Sequence, residues 1–412
     1  MRLHPDQFLA LGSATLMLDP QAHVPPELPL PDAPNVLRLG ATTAATVLGS
    51  IGLVTALWPG DGSLPLQTYW MSVAVVTGAA GLLLALRLLM HERQRERVLM
   101  WNSCREQWLG ERLHAWRQPA KVLALAYTTA AGARRLPEAL RAQGPLLQPA
   151  YVEALGRTLA FSALRGYVPN ACLQAYRQRL AKELATVLGR LAPSMAHLAG
   201  QPLAVRVRHG RLLPDAEIAE LLAPLLAPCT QTVSLHFAHH EDGLLWLGPW
   251  LDASAPAPWL LCIDFNLFLM PAAGQAEAVS AVLLAHPSVA QSVPGRALAD
   301  LHRPATGEQP ADCLAQACAA SRPSASGPAA AWLARLERAP TAALALAATG
   351  IAPPQQQALD TQLGHAGAAM AALLLIAACE QAKACGQAQL LLFTDRALQA
   401  CVVQPCLEEA LA

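Results

Sequence analysis

Two apolar runs without a charged residue, Leu39 to Leu57 and Tyr69 to Leu86, constrain this chain more than any other feature. At about 1.5 Å of rise per residue, either run covers most of a ~30 Å hydrocarbon core, where backbone polar groups are satisfied within a helix. The pair predicts a transmembrane helical hairpin. Arg38 precedes the first run, and Arg87, Arg93, Arg95 and Arg97 follow the second, whereas the connector Pro59 to Thr68 has no basic residue. Lys and Arg resist translocation, so both termini are expected in the cytoplasm. Trp58, Tyr69 and Trp70 bracket the connector at headgroup depth. Small residues at four-residue spacing (Ala41, Ala45 and Gly49; Ala74 and Gly78) predict close approach of the two helices. A buried hairpin in a soluble protein and a signal peptide are the competing readings. Uninterrupted runs with matching aromatics oppose the first, and a Pro-rich leader with a second span opposes the other.

The chain has 412 residues, 54% hydrophobic and 14% charged, enough for a large core beyond the hairpin. A net charge of +0 and the lack of a basic stripe interleaved with aromatics argue against nucleic acid as a partner. Only Lys121, Lys182 and Lys383 are lysines among 29 basic residues, which with heavy Ala and Leu usage suggests a GC-rich bacterial genome and hence the bacterial inner membrane. The 10 cysteines form no CxxC pair and lack clustered His partners, so they read as reduced, mostly buried thiols. No metal or cofactor is expected.

Four regions follow: a Pro-rich leader (1–35), extended and poorly ordered where prolines crowd; the hairpin (36–90); an amphipathic connecting helix (91–119); and a mixed α/β domain (120–412). The connecting helix either prolongs the second span, lies on the membrane through Trp101, Trp108 and Trp116, or packs on the domain. In the domain, strands are predicted at Val122 to Thr128, Leu203 to Arg208, Val233 to Phe237, Trp259 to Leu269, Ala342 to Ala348, Gln389 to Thr394 and Ala400 to Gln404. Helices are predicted at Gln174 to Leu191, Asp215 to Leu226, Ala311 to Ala320, Ala330 to Arg338 and His365 to Ala384. Ser321 to Pro328 reads as a loop, Glu277 to His286 fits helix or strand, and no internal repeat is visible.

The C-terminal sixty or so residues carry a resemblance. Leu363-Gly364-His365-Ala366-Gly367-Ala368-Ala369, a long helix of small residues, then the strands Leu390 to Phe393 and Ala400 to Val403 are similar to the last quarter of the thiolase-like fold. In β-ketoacyl synthases, a Gly-His-x-Gly-Ala-Ala run opens a buried helix of this kind. The resemblance implies a duplicated mixed α/β fold, to whose first half Trp259 to His286 corresponds only loosely. Condensing enzymes of this family use a cysteine at a helix N-terminus and two histidines. His365 alone falls on the motif; the Cys-Ser-rich nucleophile turn and the Glu-Ala-His-Gly-Thr-like segment are missing. Cys172, before a helical run, is the remaining nucleophile candidate, against its reading as a buried thiol that starts a helix. His365 has a similarly plain alternative, a helix-start ring bonded to a nearby carbonyl.

Two further constellations stand out. His236, His239, His240, Glu241 and Asp242 fall within one turn, but alternate strand faces keep such residues from converging, which favours a solvated polar turn over a metal site. Asp264 sits near the end of an apolar strand, a usual place for a site in an α/β sheet, or caps the next turn. Phosphate loops, Gly-x-Ser-x-Gly elbows and His-Glu-x-x-His pairs are absent. Three expectations result: a membrane-anchored, non-catalytic adaptor that binds a protein, as the resemblance to adaptors loading lipase effectors onto the bacterial type VI secretion machine implies; a membrane-associated acyltransferase or condensing enzyme using Cys172 and His365; or a structural subunit of a membrane complex.

Overall fold

A computed structural model describes residues 25–33, 35–57, 66–144, 146–168, 172–198, 201–228, 232–239, 242–253, 256–292, 297–322, 327–336, 339–352 and 355–406. Most of the leader, Trp58 and most of the connector, Cys229, His240, Glu241 and the middle of the 321–328 loop lie outside the described residues. The chain divides into two compact units, one spanning 18–115 and one built on 116–412.

In the first unit, α1 (Val36–Ala56) opens with Asn35 accepting from the Arg38 N–H at 3.0 Å. α2 (Leu66–Trp116) runs 51 residues without a break, about 76 Å, so the connecting helix expected at 91–119 is its continuation. Neither helix buries its apolar residues within the protein. Their hydroxyls are satisfied internally: Thr46 donates to the Thr42 carbonyl at 2.8 Å, Ser50 to Thr46 at 2.8 Å and Thr77 to Val73 at 2.8 Å. Such back-bonding hides polar atoms from an apolar surrounding. The expected close approach is not present at the glycines, since a Cβ at Gly49 or Gly78 would meet nothing within 4 Å. Instead the Thr55 and Tyr69 hydroxyls join the helices at 3.1 Å.

The described leader is seated rather than loose. Arg105 Nε donates to the Pro25 carbonyl at 2.7 Å, Asn102 exchanges two hydrogen bonds with the Leu28 backbone at 3.0 and 3.1 Å, and His91 Nε2 meets the Asp32 carbonyl at 2.9 Å. Polyproline rise of ~3.1 Å over 25 to 32 and helical rise of ~1.5 Å over 91 to 105 both cover about 21 Å, which is why an extended Pro-rich strand matches this helix point for point.

In the second unit, strands that are apolar on both faces demand cover on both sides. A single 11-stranded mixed sheet among the described residues supplies them, ten strands in the path β11-β10-β12-β13-β8-β1-β7-β6-β4-β5 and β9 beside β13 off that path. The first half holds β1 (Ala120–Thr129), β4 (Leu203–His209), β5 (Val233–Phe237), β6 (Trp259–Asn266) and β7 (Ala278–Ala285). The second holds β8 (Ala299–Leu301) with β9 (Ala305–Thr306), then β10 (Ala330–Ala334), β11 (Gln356–Ala358), β12 (Gln389–Thr394) and β13 (Leu398–Pro405). Numbered within its half, each set runs third, second, fourth, fifth, first, with the fifth strand antiparallel to the others. The fold is therefore an internal duplication that the sequence does not display. The two first strands join the halves, pairing antiparallel as Lys121 opposite Asp300.

Helices fill three layers. α4 (Leu173–Ala196) and α5 (Asp215–Leu226) cover the outer face of the first half, while α7 (Pro310–Ala320) and α8 (Ala339–Ala348) cover that of the second. Between the halves lie α3 (Leu136–Gln143), α6 (Leu247–Asp252), α9 (Leu359–Leu363) and α10 (Met370–Cys385). α10 is apolar all round and buried from Met370 to Cys379, as a helix packed between two sheets must be. A hairpin of β2 (Gln148–Val152) and β3 (Arg157–Phe161) stands apart from the large sheet.

Mixed α/β architecture is thus as expected, and 278–285 is a strand. Two assignments are exchanged: 330–334, expected in a helix, is the inner strand β10, and 342–348, expected as a strand, belongs to α8. Pairing on both sides and burial of Trp332 override the helix propensity of the first, and alanine-rich composition makes the second a helix despite its Leu344/Leu346 alternation.

Candidate functional site

Alternation along β4 sets up the centre of the molecule. Leu203, Val205 and Val207 face the outer core, so Arg206 and Arg208 share the inner face with Ala204. β6 does the same, placing Cys262 and Asp264 inward. Arg206 donates to Asp242 Oδ1 at 2.6 Å and to Asp264 Oδ1 at 3.3 Å, and its guanidinium stacks over Trp246 at 5.2 Å. Arg208 reaches across to Asp395 Oδ2 of the second half at 2.7 Å, and Arg335 approaches the other oxygen at 3.3 Å. Gly243 N–H donates to Asp395 at 3.1 Å, Leu244 N–H to Gln399 Oε1 at 2.9 Å, and Gln399 Nε2 to the Asp242 carbonyl at 3.1 Å. A Cβ on Gly243, at φ +55°, would lie 2.5 Å from Gln399, so glycine is required there.

These groups sit at the carboxyl ends of β4, β6, β10 and β12 or just beyond them, where α/β sheets place their sites. Three arginines face three aspartates, and each cation has an anionic partner. Burial pushes the Asp264 carboxyl up to about 6, against the pull of Arg206 and Arg208. Burial also works against the Arg206 charge, but Asp242 and Asp264 outweigh it and keep the guanidinium charged. The space left between Leu244, Trp246, Cys262, Asp264 and α10 is a cavity of about 10 Å³, room for about one water. Cys262, the thiol on its wall, is fully enclosed, and burial raises its pKa well above the ordinary range, so it stays protonated.

Cys172 and His365 occupy different layers. Cys172 is the N-cap of α4 on the outer layer, exposed rather than buried, and its side chain makes no capping bond. His365 lies in the inner layer, ahead of the Gly367–Ala369 turn and α10. Its N–H donates to the Gly274 carbonyl at 2.7 Å and its carbonyl accepts from Ala276 at 2.9 Å. Gly367 follows at φ +49°, where a Cβ would come within 2.6 Å of Asn266.

The histidine turn is drawn apart. Asp242 turns inward to Arg206 instead of lying in a solvated turn, His239 pairs with Asp215 at 3.2 Å, and His209 pairs with the same carboxylate at 3.0 Å. Burial lowers the pKa of His209 and of His236. Among the described residues no group of three His, Cys, Asp or Glu side chains is arranged to hold a metal. The thiols are less uniformly buried than expected: Cys262, Cys313, Cys379 and Cys401 are buried, whereas Cys104, Cys172 and Cys385 are exposed.

Sequence reasoning reached Asp264 but missed Arg206, Arg208, Arg335, Asp395 and Gln399. Two arginines at i and i+2 inside an otherwise apolar strand were the available signal. A charge repeated on one face of a buried strand needs a buried counter-charge.

No protein-family model matches the chain, and no curated protein is detectably similar in sequence. Solved structures that align with it include the ketosynthase from module 1 of the bacillaene synthase of Bacillus amyloliquefaciens, 11% identical over 72% of this chain and 77% of that one, TM-score 0.49. The peroxisomal 3-ketoacyl-CoA thiolase of Saccharomyces cerevisiae, described as five layers built from two core domains of identical topology, aligns at 11% identity over 70% and 97%, TM-score 0.44. A variant of OleA from Xanthomonas campestris aligns at 9% identity over 70% and 98%, TM-score 0.40.

Proposed function

We propose that this chain is a membrane-anchored, thiolase-like protein that binds another protein instead of transferring acyl groups. One observation carries the reading: the carboxyl ends of both halves are closed on each other by the Arg208–Asp395 ion pair and by the Gly243 and Leu244 hydrogen bonds to Asp395 and Gln399, leaving a space of about 10 Å³. An acyl chain requires far more, since ligand pockets run to about 300–1,000 Å³. The thiol on that space is held protonated, and the exposed Cys172 stands on the opposite side of the first-half sheet from the layer of His365. The duplicated strand order and the Gly364 to Ala369 run support the thiolase-like part.

Anchoring in a bacterial inner membrane is supported by the uninterrupted apolar runs in α1 and α2, their internally bonded hydroxyls and the arginines that follow. The termini are then cytoplasmic, and the bilayer is the first partner. For the protein partner, the resemblance points to a lipase effector of type VI secretion. The chemical test is incubation of the purified chain with acyl-CoA or acyl carrier protein. No thioester is expected; one on Cys172 that vanishes in Cys172→Ser establishes instead the acyl-transfer alternative with His365. For topology, a reporter active only outside the cytoplasm, fused after Ala412, should be silent, and activity there overturns the orientation.

A further inference from the structure

A second buried ion pair builds a pocket on the outer side of the first half. Glu277, fully buried just before β7, accepts from Arg179 Nη2 at 2.5 Å, Arg179 Nη1 at 3.3 Å, Leu164 N–H at 3.0 Å and Phe268 N–H at 3.0 Å. One carboxylate thereby ties α4 to the segment after β3 and to the chain after β6. The guanidinium also donates to the Phe268 carbonyl at 3.1 Å and lies 5.5 Å from the Tyr167 ring. Tyr167, Phe161 and Phe268 meet edge to face at 5.4 to 5.8 Å. These interactions fix the walls before anything binds.

Between them lies a cavity of about 110 Å³, lined by Val168, Ala175, Tyr176, Arg179, Phe268 and Leu269 among others. Apolar residues surround its mouth in sequence and remain open to solvent: Val168 is 60% exposed, Leu173 48% and Met270 44%. The Tyr167 hydroxyl, between Gly166 and Val168 of the lining, is buried without a hydrogen-bond partner among the described residues.

We propose that this pocket is a docking point for a protein partner and takes one large apolar side chain flanked by carboxylates. The volume decides between occupants: it is well under the ~300 Å³ where small-molecule pockets begin, and close to the ~150 Å³ cavity that holds a single benzene ring. A single anchor in a rigid, desolvated pocket inside an apolar rim is the arrangement of interface hot spots. Arg165, next in sequence to Gly166 of the lining, is exposed and makes no ion pair among the described residues, which suits acidic neighbours of the anchor. This surface rests on the binding-protein reading above and specifies where that binding takes place.

The test uses the full chain in lipid nanodiscs and a fluorescein-labelled peptide, Gly-Glu-Asp-Phe-Glu-Asp-Gly, read by anisotropy. Replacing the peptide's Phe by Ala should weaken binding at least about tenfold. Val168→Glu, at an exposed position that leaves folding intact, should do the same, as should filling the cavity with Ala175→Trp, with circular dichroism verifying the fold of both. Arg165→Glu should weaken the acidic peptide and not its Gln/Asn counterpart. The proposal is overturned if the wild-type chain ignores the peptide, if Val168→Glu binds it as wild type does, or if indole or dodecanoate saturates the pocket more tightly than the peptide. A thioester on Cys172 alongside intact peptide binding would discard the non-catalytic reading and leave the docking surface standing.

Discussion

The two halves of the large unit reach one strand order from very different material. The first strand is β1, 10 residues long, in one half, and the 3-residue β8 with its 2-residue companion β9 in the other. The outer helix that leads to the second strand has 24 residues in the first half and 11 in the second. Third strands of 5 and 3 residues close the two ends of the sheet. Pairing and two-sided burial specify such a topology, and many apolar sequences satisfy them equally well. The centre is less permissive. The first half contributes Arg206, Arg208, Asp242 and Asp264, the second Arg335, Asp395 and Gln399, and the two sets meet through the Arg208–Asp395 ion pair and the hydrogen bonds of Gly243, Leu244 and Gln399. Architecture is repeated; charge is shared.

The largest expected effect falls on that centre. Arg206→Ala strands the buried Asp264 and unpairs Asp242, and should cost about 3–5 kcal/mol of unfolding free energy, whereas Arg177→Ala, half-exposed on the outer helix α4, should cost at most about 1 kcal/mol. Equal losses in chemical denaturation would show the centre to be no more critical than the surface.

A pH profile sharpens the same contrast. The folded Asp264 carboxyl, at about 6, lies above its value in an unfolded chain, so folding favours the protonated form. This contribution to stability is complete below about pH 4 and is lost as pH rises through about 6, a change on the order of 2–3 kcal/mol. Burial pushes Glu277 and Glu380 the same way. Asp264→Asn should flatten the part of the stability-pH curve that belongs to the centre; an unchanged curve would place the titration elsewhere.

Volume comes next. Ala377 and Ala378 on α10 are fully buried between the halves, and Ala377→Leu should cost about 1–3 kcal/mol by overpacking, while Ala347→Leu on the exposed side of α8 should cost little. Wild-type melting of the Ala377→Leu chain would mean the halves do not clasp α10. The smallest effect involves no stability change. Maleimide applied to the native chain should label Cys172 and Cys385 and spare Cys262 and Cys401, the inward thiols of the two halves, as read by mass spectrometry of peptides.

Much of this architecture is legible in the sequence. Val233 to Phe237, Gln389 to Thr394 and Asp215 to Leu226 are bounded by turn residues and carry one unmistakable period, and the structure has them at the same bounds. The exchange of 330–334 with 342–348 shows where local patterning gives out: short alanine-rich runs satisfy either period, and only the neighbours on the sheet decide. At the site, Asp264 is visible because a carboxylate interrupts an apolar strand. Asp395 is not, since it occupies a turn after β12, and its partner Gly243 lies 152 residues away. No local pattern encodes a partnership made by folding two halves together.

The helix α10 carries a consequence for how the chain is made. Residues 367–385 are apolar enough to cross a membrane, with mean hydropathy 1.5, yet in the finished molecule two-thirds of that segment is enclosed by protein. They also leave the ribosome after most of the elements that enclose them and before β12 and β13. Until those strands arrive, the gap between the halves stays unsealed, and a bilayer and the protein interior are rival solvents for the same residues. Success then depends on timing: the first half and β10 must offer a ready cleft before the nascent segment meets lipid. Slowing the earlier half, without altering a single residue of α10, would lengthen the time that helix spends between the two solvents.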